Sequence, residues 1–317
     1  MQYRRLGRAG LQVSAIALGS WLTYGTVTEE DTALKCVQEA FELGINHFDC
    51  ANVYGSEPHA AERFLAKALA PFPRHEYVLT TKAFWPVSDK PNQRGLSRKH
   101  LIHQVEESLR ALNTDYVDIF YCHRFDSETD VEETLRTIDD LVQQGKVLYG
   151  GISEWQPQHI AEALAVQERL HLRPLRASQP VYNLLNRYIE AAVLPLCQQA
   201  GMGLVVFSPL AQGLLTGKYR RGEAAPPGSR AANPAVKSSV TRLLTEDRLA
   251  KVEQLAGVAQ ELGITLSQLA LAWVLRQPAV SSALIGASRP EQIRENVKAV
   301  DVTLSEEILA RIDAIVS

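Results

Sequence analysis

The sequence predicts an α/β fold in which eight parallel strands, each followed by a helix, close into a (β/α)8 barrel. Three observations carry that reading. Short apolar or β-branched runs alternate with amphipathic stretches along the chain, the pattern of parallel pairing with right-handed crossovers. The first seven runs start about 30 residues apart, the length of one βα unit. No Pro/Gly/Ser-rich linker divides the 317 residues, so 1–317 reads as one domain, within the size range of such barrels. A doubly wound open sheet shares the alternation, but it should carry G-x-G-x-x-G after the first strand. Here that strand leads into GSWLTYGTVTEED, which lacks the spacing.

The expected strands are 15–21 (AIALGSW), 47–51 (HFDCA), 77–83 (YVLTTKA), 116–123 (YVDIFYCH), 147–153 (VLYGGIS), 176–182 (RASQPVY), 203–209 (GLVVFSP) and 282–288 (SALIGAS). Helices are expected at 28–43, 57–70, 98–111, 130–144, 157–169 and 187–200; Leu101, Val105, Leu109 and Leu112 illustrate the apolar spacing of three and four. Ser97, Thr265 and Ser305 stand where helix N-caps belong. The one long irregular stretch, 211–239, follows the seventh strand. Loops of that length in a compact domain are usually functional lids or disordered, and glycines at 213, 217, 222 and 228 would let this one hinge.

Thirty-three basic against 36 acidic residues give a formal net charge of −3, so no global field favours nucleic acid. Cys36, Cys50, Cys122 and Cys197 are far apart with no C-x-x-C pair, which argues against a zinc site or a disulfide framework and for a reducing cytoplasm. No stretch approaches 18 apolar residues, and the start, MQYRRLGRAG, does not resemble an export signal, so no membrane insertion is expected.

In such a barrel the chemistry sits at the carboxyl ends of the strands. Those ends deliver Asp49 (followed by Asn52 and Tyr54), Lys82, His123, Ser153 with Glu154, Gln179, Ser208, and Ser288 with Arg289. Reducing a carbonyl by hydride builds negative charge on oxygen and calls for a proton donor, and free tyrosine, with a pKa near 10, is a reluctant one. A nearby ammonium favours the phenolate, and a carboxylate keeps that ammonium charged and oriented. Asp49, Lys82 and Tyr54 can supply this set, with His123 aimed at the developing oxyanion. Taken singly, Asp49 reads more readily as a cap or loop acceptor, and His123 as a hydrogen-bonded loop histidine. Their joint placement at successive strand ends supports the chemical reading.

The motifs YRRLGRAGLQVSAIALGSW, GINHFDCANVYG, TTKAFW, YVDIFYCHR, GKVLYGGISEW, QPVYNLLNR, VFSPLAQGLLTGKY and IGASRPEQIREN, in this order, resemble the aldo-keto reductase superfamily. The branch most similar contains the β-subunits of voltage-gated potassium channels and their bacterial relatives, and the resemblance covers almost the whole chain. It implies a (β/α)8 barrel closed at the bottom by an N-terminal β-hairpin, a long cofactor-covering loop after strand 7, and NADPH bound without a Rossmann fold. It also implies a catalytic tetrad of Asp49, Tyr54, Lys82 and His123, with Tyr54 as general acid. For the cofactor it implies Trp21 near the nicotinamide ribose, Asp49, Ser153 and Gln179 at the nicotinamide end, and Phe207 stacking on the ring. Ser208, Pro209, Leu210, Ala211 and Gly213 would follow the pyrophosphate, and Lys218 and Arg230 would fold over it. Gly286, Ser288, Arg289, Gln292, Glu295 and Asn296 would hold the adenosine end.

Tyr24 and Trp85, with Tyr54 and His123, are expected to line the substrate pocket, an apolar site in keeping with most ligand sites. Trp155 and Trp273 read as packing residues, and Cys50 and Cys122, which point away from Asp49 and His123, as core thiols. The run Lys218, Arg220, Arg221 reads as a partly solvated lid face that also contacts an anion. Glu154 departs from the family, where Asn or Arg is usual; it stands either beside the carboxamide or outward in a loop. The segment from Ile285 to Gln292 reads as a strand, a glycine, then a helix opened by Pro290, with Ser288 and Arg289 suited to the 2′-phosphate of NADPH.

Two function classes follow. One is an NADPH-dependent reductase of aldehydes or ketones, its partner a small-molecule carbonyl substrate. The other is an NADPH-binding regulatory β-subunit of a potassium channel with slow or vestigial turnover, for which homo-oligomer formation or channel docking would matter. The chain begins at the hairpin, which favours the enzyme.

Overall fold

In the computed structural model, which describes residues 1–317, strands β1 (Tyr3–Arg5) and β2 (Gln12–Ser14) form an antiparallel hairpin ahead of the barrel. Eight parallel strands then close on themselves: β3 (Ile16–Gly19), β4 (His47–Asp49), β5 (Val78–Ala83), β6 (Val117–Cys122), β7 (Val147–Ser153), β8 (Ala177–Gln179), β9 (Gly203–Phe207) and β10 (Val280–Ile285). Each pairs with its sequence neighbours, and β10 pairs with both β9 and β3 to close the ring. The sequence therefore placed every strand, although the last starts two residues earlier than 282.

Side chains alternate across each strand, so the ring has two cores. Between strands and helices lies the larger one, fed by α1 (Glu30–Glu42), α2 (Ala60–Leu69), α3 (Arg98–Leu112), α4 (Val131–Gln143) and α5 (Pro157–Leu170). On α3, Leu101, Val105, Leu109 and Leu112 are all buried, each contributing about 1.5–3 kcal/mol of transfer free energy. Inside the ring, Val78, Ile119, Tyr121, Ala177 and Val205 pack on Leu6, Ala9 and Val13 of the hairpin, which plugs the amino-terminal end. That plug requires Gly7: its φ is +56°, and a Cβ there would sit 2.3 Å from the Gly201 carbonyl oxygen. The Gly150–Gly151 pair of β7 has a similar origin, since a Cβ at 150 would meet Ile138 of α4 and one at 151 the Tyr121 ring, each at 2.6 Å.

The expected helix 187–200 is interrupted. A 3-10 turn at Tyr188–Glu190 precedes α6 (Val193–Ala200), with Ala192 between them at φ −147°, ψ −47°. Pro195 explains the break: it has no N–H and tolerates only the first turn of a helix, which a start at Val193 provides. The stretch 211–239 contains 3-10 turns at Ala211–Thr216 and Arg230–Ala232 and runs into the short α7 (Ser238–Thr241). Beyond the expected helices lies α8 (Glu246–Glu261), capped by Thr245, with Leu249, Val252, Leu255 and Val258 recurring every third residue along its buried face. Thr265 opens α9 (Leu266–Leu275) with a full capping box through Gln268. The chain ends with α10 (Pro290–Asn296) and the Ser305-capped α11 (Glu306–Val316). No single helix is long and apolar enough to cross a membrane.

Candidate active site

Asp49, Lys82 and His123 leave β4, β5 and β6 at the carboxyl end of the ring, and the loop after β4 returns Tyr54 over them. That loop is fixed by backbone bonds: Asn52 N–H donates to the Lys82 carbonyl (3.1 Å) and Ala61 N–H to the Tyr54 carbonyl (3.0 Å). The buried Asn52 side chain also donates to Gln104 of α3 (2.7 Å). Gly55 permits the turn, at φ +114° and with no room for a Cβ against Ala60.

Lys82 is fully buried. Its Nζ donates to Asp49 Oδ2 (2.6 Å) and the Cys50 carbonyl (2.7 Å), and lies 4.9 Å from the centre of the Tyr54 ring. Asp49 Oδ1 accepts from Thr80 Oγ1 (2.6 Å) and Gln179 Nε2 (3.0 Å), so both carboxylate oxygens are held. Burial pulls the Lys82 pKa down, but Asp49 and Tyr54 outweigh it, and the ammonium is held above its ordinary value. For Tyr54 the balance runs the other way from the sequence expectation. Burial pushes the phenol up, the pull of Lys82 only offsets part of this, and the net position is above the usual tyrosine value. Tyr54 Oη is 3.2 Å from His123 Nε2. Burial, then Lys82 and Arg124, push His123 well below the usual histidine value, so its ring is neutral, and Nδ1 has no partner.

These groups open on a cavity of about 1070 Å³, larger than most small-molecule pockets. Trp85, Trp21, Ser153, Gln179 and Phe207 surround Tyr54 and His123. The cavity continues along Ser208, Pro209, Leu210 and Gly213 to Lys218 and Arg230. Gly286, Ser288, Arg289, Gln292, Glu295 and Asn296 close its far end. The loop between has left-handed backbone at Ser208, Ala211 and Gln212 (φ 52°, 46° and 59°), a cost of order 1–3 kcal/mol each of the kind that clusters at functional sites. Gln212 bridges it: Nε2 donates to Ser208 Oγ, and Oε1 accepts from Arg230 Nη1, both at 2.6 Å.

Lys218, Arg230 and Arg289 lie close enough that the two arginines, after burial, push the Lys218 pKa down. None of the three makes an ion pair; the Arg230 guanidinium bonds only Gln212, and the side chain of Arg289, at the N-cap of α10, bonds nothing. Arg220 and Arg221 point outward to Glu223, Glu246 and Glu253, so of the basic run only Lys218 faces the cavity.

Three sequence-predicted residues lie off the cavity. Lys82 sits beneath Tyr54, and Ala211 is buried behind the loop. Tyr24 is a correction: it is 1% exposed, its ring centre 5.1 Å from that of Phe64, with Cys36 beside it, in the packing of α1 and α2. The turn after β3 directs it inward, an orientation that periodicity could not reveal. Glu154 also faces away: Oε1 accepts from Val181 N–H (2.7 Å) and Tyr188 Oη (2.9 Å), joining two loops. Trp155, Trp273, Cys50 and Cys122 are buried packing residues. Among the further lining residues that the sequence did not single out are Arg124 and Gln212. Adjacency to His123 was a usable signal for the first; the second depends on the left-handed turn and had none.

The model described as the aldo/keto reductase family matches residues 15–317. A probable voltage-gated potassium channel subunit beta of Oryza sativa subsp. japonica is 43% identical over 321 residues, covering 100% of this chain and 97% of that protein. A putative voltage-gated potassium channel subunit beta of Schizosaccharomyces pombe is 43% identical over 325 residues, covering 99% and 93%. An L-glyceraldehyde 3-phosphate reductase of Escherichia coli (strain K12) is 40% identical over 319 residues, covering 99% and 92%. A closed parallel barrel, a polar cluster at its carboxyl end and matches along almost the full chain converge: this chain belongs to the aldo/keto reductase family of oxidoreductases.

Proposed function

We propose that the chain, as one barrel domain, is an NADPH-dependent reductase that converts an aldehyde or ketone carbonyl to the alcohol, with Tyr54 as general acid. One observation carries this most directly. The Asp49–Lys82–Tyr54–His123 chain opens on one end of a cavity whose other end holds Lys218, Arg230 and Arg289 without an ion pair. Three cations held together without an ion pair suit a ligand carrying several phosphates, and Arg289 with Ser288 suits a 2′-phosphate. Trp21 and Phe207, their ring centres 6.4 Å apart, suit a flat ring between the phosphate end and Tyr54. Ser153 and Gln179 supply polar groups for its amide, and Leu210, Gly213, Gln292, Glu295 and Asn296 line the rest.

The hydride is what NADPH contributes when bound; the remaining work falls to the protein. With its ring proton on Nε2, neutral His123 donates to Tyr54 Oη and leaves the phenol hydrogen free for the substrate oxygen. A Tyr54 pKa above the usual value keeps that proton in place before reaction. As negative charge grows on the substrate oxygen, the proton moves there, and Lys82, fixed by Asp49, stabilises the phenolate left behind. Trp85 and Trp21 wall the substrate end.

The test follows NADPH and NADH absorbance with the purified protein and a panel of aromatic, aliphatic and sugar-derived carbonyls. Turnover with preference for NADPH is expected, and Arg289→Ala should reduce that preference by about 1.5–3 kcal/mol with little change toward NADH. Equal use of both cofactors by the wild type would remove the 2′-phosphate role of Arg289. The relatives named as channel subunits, at 43% identity, support a second reading, a regulatory subunit that binds NADPH and turns over slowly. Tight NADPH binding without carbonyl turnover across the panel would favour it.

A further inference from the structure

Arg124 directly follows His123, lines the same cavity, and takes no part in the proton transfer described above. Its Cζ stands 5.5 Å from the centre of the Trp85 ring. Nη1 donates to the His123 carbonyl at 2.5 Å and, at 3.5 Å, to Ser153 Oγ. Nε and Nη2 donate to nothing in the protein, and no carboxylate pairs with the guanidinium. Glu154, on a neighbouring loop, directs Oε1 to Val181 N–H and Tyr188 Oη instead.

A half-buried cation with one open edge of its planar fork is matched to the two oxygens of a carboxylate or phosphate. Lys218, Arg230 and Arg289, at the other end of the cavity, answer to the anionic groups of the cofactor, whereas Arg124 stands beside the proton donor. The geometry points to Arg124 as the anchor for an anionic group, carboxylate or phosphate, carried by the carbonyl substrate itself. The substrate class is then a small aldehyde or ketone acid, or a phosphorylated one. Trp85, 41% exposed and packed against both Arg124 and His123, forms the apolar floor on which the rest of such a substrate lies.

This rests on the reductase reading, so the test has one arm that needs no turnover. In the first arm, kcat/KM is measured for matched pairs, benzaldehyde against 4-carboxybenzaldehyde and glyceraldehyde against glyceraldehyde 3-phosphate. Arg124→Met removes the charge but keeps an unbranched side chain, and it should lower the anionic-to-neutral ratio about 10- to 100-fold, chiefly through KM, with Arg124→Lys recovering part of it. The pair with the larger fall identifies carboxylate or phosphate as the natural group, and an unchanged ratio in both pairs overturns the proposal. In the second arm, benzoate and phenyl phosphate are titrated into the protein by calorimetry. Binding of either weakened about tenfold or more in Arg124→Met supports the anchor; equal affinities for both, or no binding of either to the wild type, overturns it. If the wild type reduces none of the four carbonyls, the reductase reading fails and the calorimetric arm alone decides the role of Arg124.

Discussion

At Tyr54 two opposing effects meet on one hydroxyl. Burial raises its pKa, and the Lys82 ammonium, locked by Asp49 and the Cys50 carbonyl, lowers it without reversing the sign. In the proposed role as general acid, Tyr54 would therefore hold its proton through neutral pH and release it only when charge builds in front of it. Tyr54→Phe should cut kcat by about 10²–10⁴-fold, roughly 3–5 kcal/mol of transition-state stabilisation, and leave NADPH affinity nearly intact. A variant retaining more than about a third of wild-type turnover, with chemistry rate-limiting, would remove Tyr54 from the role. Lys82→Met takes away the pull toward phenolate, so the alkaline limb of the rate profile for reduction should move to higher pH. It also leaves Asp49 buried without its cation, at a stability cost of about 3–5 kcal/mol. A folded variant with an unmoved alkaline limb would reduce Lys82 to a structural partner of Asp49. These residues were legible in the sequence because strand ends at whole βα units announce them. Tyr24 and Glu154 show the limit, since each follows a turn whose backbone angles decide where the side chain goes, as the φ of +57° at Glu154 illustrates.

At the scale of elements, the connection after β9 differs most from a plain βα link. It carries a strained turn at 208–213, two 3-10 turns and α7 before α8 begins. Arg230 crosses back to Gln212, and that bond couples the segment to the turn beneath the cavity. With Lys218 and Arg230 as its only cavity-facing cations, residues 211–239 should be more open to protease without NADPH than with it. Limited trypsin digestion checks this, because Arg220 and Arg221 are exposed sites within the segment; equal cleavage rates in both conditions would count against a lid. The sequence marked this segment as irregular but did not contain its turns, whose left-handed residues Ser208, Ala211 and Gln212 carry no composition signal. The split at Ala192 and the start of α8 at Thr245 were legible in principle, through the chemistry of Pro195 and of a threonine cap.

For the whole molecule, the ring of strands creates interior positions that no water reaches. His47, fully buried with both ring nitrogens unpartnered, is pushed down to about 4, first by burial and then by Lys82, with Asp49 pulling the other way. His100 and His123 are lowered as well. Because the folded value lies below the unfolded one near 6.5, the unfolded chain takes up the proton first as pH falls, and stability declines between about 6.5 and 4. For His47 alone the loss is on the order of 3 kcal/mol. Urea unfolding from pH 7.5 to 4.5 should show a shallower decline in His47→Leu than in the wild type, and identical slopes would show that His47 is not the group responsible. By itself the sequence determined the barrel, the order of its strands and the set of polar residues at their ends, because periodicity and βα spacing are local properties. Only the tertiary structure decided that the phenol pKa goes up, that Arg124 faces the cavity unpaired while Glu154 turns away, and that three cations meet without an ion pair. Those facts depend on distance and burial between residues far apart in the chain, and both arise only when the ring closes.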